Sequence, residues 1–199
     1  MQTLPIYLAH GAGVGHKNSD FLQRISRRLE EKGCPVIPVT FAYMQEQEVT
    51  GKKRPPPRFD TLIPEFADYL SASESASDPL IVAGKSMGGR VATQLTSDNR
   101  VKGVICFGFP FHPPGKPEKH RLAFLEAVDV PCLIIQGTRD VFGKPIWVLE
   151  QKLNKNIEIM WVEGADHDFK TLKKQAITQD EVVSMVASMV KSWLSEKFV

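Results

Sequence analysis

A serine hydroxyl performs acyl transfer only when a neighbouring imidazole takes its proton and a carboxylate orients that imidazole. The stretch Leu80-Ile-Val-Ala-Gly84-Lys-Ser86-Met-Gly88-Gly89 carries a serine in the pattern G-x-S-x-G, directly after an apolar run and directly before a helix-like one. A sharp strand-to-helix turn holds such a serine in a strained conformation. Glycines two residues to either side are needed because side chains there would collide with nearby backbone. The pentapeptide alone is weak, since a glycine-rich turn can hold an incidental serine. Its place between strand and helix marks Ser86 as the candidate nucleophile.

Candidates for base and carboxylate follow downstream. Gln136-Gly-Thr-Arg-Asp140 comes after the next-to-last apolar run and Glu163-Gly-Ala-Asp-His167 after the last. His167 is the one histidine of five beyond the last predicted strand, which makes it the candidate base. Asp140 is the candidate orienting carboxylate. Asp166 and Asp168 compete, but a carboxylate adjacent to the histidine in sequence generally cannot face its far nitrogen. His10 reads as support for the loop beside it and His16 as the start of the first helix. His112 and His120 fall in a proline-rich stretch, at the surface or beside substrate. Attack on a carbonyl also creates an oxyanion that needs two preorganised N–H donors. One is the backbone of Met87. The other comes from His10-Gly-Ala12-Gly13, with Ala12 the first choice and Gly13 the second. The plainer alternative is a flexible turn.

These residues need a scaffold that brings loops to one edge. Short apolar runs bounded by Gly or Pro recur at 6–9, 36–41, 80–83, 101–107, 132–136 and 157–162, and read as buried strands. Between them lie segments of helical period, such as Phe21, Leu22, Ile25 and Leu29, with Asn18 or Ser19 as N-cap and Gly33 as C-cap. Val182, Val183, Val186, Met189, Val190, Trp193 and Leu194 form the apolar face of a last helix. Alternation of this kind implies an α/β fold with a mostly parallel sheet of about six strands and helices on both faces. Ligands bind such sheets at the carboxyl ends of the strands.

Two stretches break the rhythm, Tyr43–Phe59 with GKKRPPPR and Phe109–Arg121 with FPFHPPGKPEKHR. Both are proline-rich and lack helical period. Each follows a predicted strand and so belongs at the functional edge. The serine-rich 71–78 precedes a strand and reads as a linker at the opposite edge. Lys52, Lys53, Arg54 and Arg58 cluster in the first stretch and Lys85 flanks Ser86. Arg54, Arg58 and Lys85 are candidate contacts to a carboxylate or phosphate on a substrate. The same cluster also reads as a solvated charged loop.

At 199 residues the chain suits one domain spanning 1–199. An apolar fraction of 42% with 24% charged residues is ordinary for a globular protein. A net charge of +2 supplies no whole-molecule field for nucleic acid or membrane, so any electrostatic preference must be local, and the expected partner is the small-molecule substrate of the acyl-transfer site. Cys34, Cys106 and Cys132 are odd in number and sit in apolar runs. They read as buried thiols rather than disulfides or a metal site, which fits a reducing, cytoplasmic setting. No signal peptide or transmembrane helix is expected, nor any cofactor or metal.

Through HGAG, GKSMGG, GTRD and the terminal DH, the chain resembles the α/β-hydrolase superfamily, whose triad runs in the order Ser, Asp, His. More narrowly it is similar to a small subgroup related to dienelactone hydrolases. Eukaryotic relatives of that subgroup include a testis-expressed protein and a subunit of a histone-acetyltransferase complex. AHGAG, KRPPPR, GKSMGGRVA, FPFHPPGKPEK, QGTRDVFG and DHDFK carry that likeness from positions 9 to 170. The resemblance implies a minimal, cap-less α/β-hydrolase fold, from which this sequence is expected to depart in having no room for the usual antiparallel pair at the N-terminal edge. It also implies hydrolysis of an ester or thioester. Dienelactone hydrolases proper use a cysteine nucleophile, so the serine at 86 keeps their substrate from being transferred.

Two other functions compete. A phosphate-cradling loop starting at Gly11 would need glycine at position 16, where His16 stands, so neither nucleotide-binding fingerprint is met. A non-catalytic interaction protein that retains the hydrolase scaffold is the more serious rival, because fold alone does not establish activity.

Overall fold

The computed structural model describes residues 4–72 and 78–198; most of the serine-rich segment read as a linker, 73–77, falls outside the described residues. The first strand, β1 (Ile6–Ala9), is followed by a 3-10 turn at His16–Asn18 and by α1 (Asp20–Glu31). Ser19 caps α1 by accepting the Leu22 N–H at 3.3 Å, and Gly33 takes the left-handed conformation just past its end, at φ 72°. Phe21, Leu22, Ile25 and Leu29 are its buried residues, each worth roughly 1.5–3 kcal/mol of transfer free energy.

Next come β2 (Val36–Val39), α2 (Ala42–Thr50) and α3 (Phe59–Ser71). Here the structure departs from expectation, because the first half of the aperiodic stretch 43–59 is helical. Met44 is the one buried residue of α2, so there is no apolar stripe to detect; Gly51 ends the helix at φ 70°, and the prolines begin only at Pro55. β3 (Leu80–Lys85) and α4 (Met87–Ala92) flank Ser86. The chain closes with β4 (Val101–Phe107), α5 (Ala123–Glu126), β5 (Cys132–Gly137), α6 (Pro145–Val148), β6 (Ile157–Val162) and the long α7 (Gln179–Phe198).

All six strands pair in parallel in the order β2-β1-β3-β4-β5-β6, as expected from the alternating apolar runs. α1 and α7 pack against one face, where Leu8, Ile105 and Ile135 meet Ile25, Val186 and Trp193. α3 and α4 cover the other, where Val82, Val104 and Ile134 meet Phe66 and Val91. The order reverses direction between β1 and β3, so the loops leaving these two strands diverge and open a crevice at the carboxyl edge. No helix among the described residues is long and apolar enough to cross a membrane. Cys34, Cys106 and Cys132 are buried free thiols.

Candidate active site

Ser86 sits between β3 and α4 at φ 52° and ψ −110°, a conformation that side chains rarely adopt. The turn closes because its flanking positions lack side chains. A Cβ on Gly88 would lie 2.6 Å from the His10 carbonyl oxygen and 2.7 Å from that of Ala9, and one on Gly84 would overlap the Gly88 backbone. Ser86 donates its backbone N–H to Phe107 at the end of β4, 3.0 Å away.

The next residue, Gly108, faces the imidazole of His167. His167 Nδ1 lies 2.7 Å from Asp140 Oδ2, and Asp140 is 0% exposed. That carboxylate also accepts from Gln136 Nε2 and from the Phe142 N–H, both at 2.8 Å. Its two oxygens are thus held from three directions, which sets the plane of the ring they bind. The sequence rivals are occupied elsewhere: Asp166 accepts the N–H groups of Asp168 and Lys170 at 2.9 Å, and Asp168 faces Lys85.

On the β1 side, His10 is buried and uses both ring nitrogens. Nδ1 donates to the Gly11 carbonyl at 2.6 Å and Nε2 accepts the Phe41 N–H at 3.1 Å. Burial lowers its pKa to about 4, so the ring is neutral. Tyr43, from α2, donates to the Ala12 carbonyl at 3.3 Å, and burial raises its pKa to about 12. The HGAG loop is therefore anchored beside Ser86 by two side chains. Met87, the first residue of α4, has an N–H with no intrahelical acceptor. The Ala12 N–H donates to no backbone carbonyl among the described residues.

A cleft of about 360 Å³ opens over Ser86, and Ala12, Met87, Arg90, Arg121 and Phe142 line it. Phe142 also packs on the His167 ring, 4.4 Å between centroids. Both proline-rich stretches border the cleft, through Pro56 and Pro57 from one and Pro110 from the other. Gly13 is not among its lining residues.

The three candidate cations fall elsewhere. Arg54 pairs with Glu46, and Arg58 pairs with Asp60 at 2.8 Å with its side chain 85% exposed. Lys85 is 7% exposed with its Nζ 3.6 Å from Asp168 Oδ1. Burial draws its pKa down against the pull of Asp168 and Asp140. None of Arg54, Arg58 and Lys85 lines the cleft: each arginine lies beside an acid, Glu46 or Asp60, and Lys85 is turned inward by the alternation of β3. The cleft's cations are Arg90 and Arg121, which sequence reasoning missed. Arg90 lies four residues after Ser86, so helical spacing could have singled it out. Arg121 and Tyr43 had no comparable signal. No cluster of His, Cys, Asp or Glu suited to a metal occurs among the described residues.

A model of the alpha/beta hydrolase domain matches residues 2–195. The chain belongs to the alpha/beta hydrolase domain family. Among solved structures, this hydrolase-domain chain is similar to a dienelactone hydrolase from Anabaena variabilis ATCC 29413, with TM-score 0.69 and 22% identity over 98% of this chain and 87% of that one. It is similar also to a thermophilic esterase from Thermogutta terrifontis, with TM-score 0.69 and 14% identity over 100% and 92%. A monoacylglycerol lipase from Paleococcus ferrophilus matches with TM-score 0.66 and 14% identity over 99% and 97%. At these identities the likeness establishes the α/β-hydrolase fold.

Proposed function

We propose that this chain is a serine hydrolase that cleaves an ester or thioester of a small molecule, with Ser86 as nucleophile, His167 as base and Asp140 as orienting carboxylate. The observation that carries the proposal is the 2.7 Å bond from His167 Nδ1 to the buried Asp140. An acceptor-only carboxylate keeps the imidazole proton on Nδ1, which leaves Nε2 with a free lone pair to act as base. Nε2 takes the Ser86 proton as Oγ attacks the acyl carbon. The resulting oxyanion is received by the Met87 and Ala12 N–H groups, with Gly13 the second choice for the latter. Collapse expels the alcohol or thiol, which leaves with the proton from His167, and forms an acyl-Ser86 ester. Water, deprotonated by the same nitrogen, then hydrolyses that ester.

Kinship with the dienelactone-hydrolase-related subgroup is part of the proposal, with serine in place of the cysteine nucleophile. So are a small-molecule partner, supported by the near balance of charge, and a cytoplasmic setting, supported by the three free thiols. Labelling by a fluorophosphonate probe, together with turnover of p-nitrophenyl acetate, is expected for the wild-type protein and lost in Ser86→Ala and, for turnover, in His167→Ala. Absence of labelling and turnover in the folded wild-type chain would favour a non-catalytic interaction protein on the same scaffold.

A further inference from the structure

Arg24, Arg28, Arg54, Arg58 and Arg100 each pair with a carboxylate. The two arginines lining the Ser86 cleft have no acidic partner among the described residues. Arg90 rises from α4 one turn beyond Ser86, whose carbonyl accepts its N–H at 3.1 Å. Its guanidinium carbon lies 4.0 Å from the centroid of the Phe59 ring and 5.1 Å from that of Phe124. The Nε beneath is buried without a hydrogen-bond partner. Arg121 donates from one Nη to the Pro110 carbonyl at 3.0 Å, which fixes the group and leaves its other N–H groups available.

Two half-buried cations facing one small cleft are unfavourable by themselves. Desolvation and then the charge of Arg121 pull the Arg90 pKa down to about 10, which leaves both groups charged at neutral pH and repelling one another. A buried charge without a counter-charge is costly, and here no counter-charge is supplied by the described residues. The aromatic contacts and the Pro110 bond hold both guanidinium groups in place, so an arriving anion meets donors that are already ordered.

We propose that Arg90 and Arg121 form the specificity site of this cleft, and that its preferred ester or thioester carries a carboxylate near the scissile bond. The inference rests on the hydrolase function proposed above. A planar carboxylate matches the fork of a guanidinium, accepts from both arginines at once, and relieves their repulsion. It also holds the acyl carbon over Ser86 through a group remote from the reaction, which raises kcat/KM.

Two matched pairs of substrates test this. Mono-p-nitrophenyl glutarate and p-nitrophenyl pentanoate have acyl groups of equal length with and without the charge. 4-Acetoxybenzoate and methyl 4-acetoxybenzoate place the difference on the leaving group. A preference of at least tenfold in kcat/KM for the charged member of one pair is expected, and the pair that shows it identifies which side of the ester faces the arginines. In Arg90→Met,Arg121→Met, where the methionine at 90 still packs between Phe59 and Phe124, the ratio of kcat/KM for the charged over the neutral member falls to below twofold. Calorimetric titration of glutarate into Ser86→Ala gives a parallel readout independent of turnover, with binding lost when the two methionines are added. If the neutral ester is hydrolysed in a Ser86-dependent manner but neither pair shows a preference, the specificity site is overturned and the hydrolase proposal stands. If no ester is hydrolysed and glutarate does not bind, both fall.

Discussion

Asp140 has a narrower task than its burial suggests. With 0% exposure it accepts from His167, Gln136 and the Phe142 backbone, so its negative charge is distributed over three donors rather than one. Replacing it by asparagine keeps the volume but offers a donor where an acceptor is needed. His167 is then held with its proton on Nε2, the nitrogen that receives the serine proton in the proposed mechanism. For a Ser-His-Asp arrangement this change costs roughly 10³–10⁴-fold in kcat. Steady-state kinetics on p-nitrophenyl acetate should show that loss in Asp140→Asn with KM nearly unchanged. A loss below tenfold would mean that Asp140 only supports the loop after β5. At this scale spacing and strand ends singled out Ser86, Asp140 and His167, and the structure sets His167 Nδ1 2.7 Å from Asp140 Oδ2. Charge counted along the sequence does not show its partners: Arg54 and Arg58 lie in the basic run, and each meets an acid nearby, Glu46 and Asp60. Arg90 and Arg121 stand apart from any run, and only packing reveals that they share a cleft.

Among the elements, the β3–α4 turn is the least tolerant of change. The Gly88 Cα faces the carbonyls of Ala9, the last residue of the paired strand β1, and of His10 just after it, backbone atoms with little room to swing aside. Gly88→Ala therefore forces α4 away from β1 and carries the Met87 N–H with it. Overpacking of this kind costs about 1–3 kcal/mol, equivalent to roughly 3–10 °C in Tm for a chain of this size. The expected result is a lower melting temperature by circular dichroism together with a loss, greater than a hundredfold, of the p-nitrophenyl acetate turnover proposed above. Unchanged values of both would show that the turn has room that the geometry denies. Strands were the easiest elements to read, because burial on both faces of a parallel sheet leaves continuous apolar runs such as Leu80–Ala83 and Cys132–Gln136. α2 was missed for the converse reason. It lies on the surface with Met44 as its buried residue, so its sequence carries helix-forming residues and a Gly51 stop but no stripe.

For the whole molecule, the burial of two imidazoles that follow β1, His10 and His16, makes global stability depend on pH. His10 has a pKa lowered to about 4, chiefly by burial, and His16, whose Nε2 donates to the Leu8 carbonyl at 2.7 Å, is lowered in the same direction by burial. The groups facing His10 are the Gly11 carbonyl, the Phe41 N–H, the Phe41 and Tyr43 rings and the weak positive influence of His16. None is an acid that would hold a proton on the folded ring. In the unfolded chain both histidines titrate near 6.5. Between about 6.5 and 4 the unfolded state therefore binds more protons than the folded one, and stability falls as pH falls. One proton taken up in this way is a slope of about 1.4 kcal/mol per pH unit, and for His10 the total over the window is on the order of 3 kcal/mol. A second loss comes lower. Asp98 and Asp180 are held below the usual carboxylate range by Arg100 and Arg28, so their contribution disappears only as they protonate in the folded protein. Urea denaturation from pH 8 to pH 4 should show stability nearly flat above 7 and declining below 6.5. His10→Gln removes one titrating ring; its curve should start lower, because the Phe41 N–H is less well received, and should fall less steeply between 6.5 and 4. Parallel curves for the two proteins would mean that the acid sensitivity arises elsewhere and that the buried His10 is not its source.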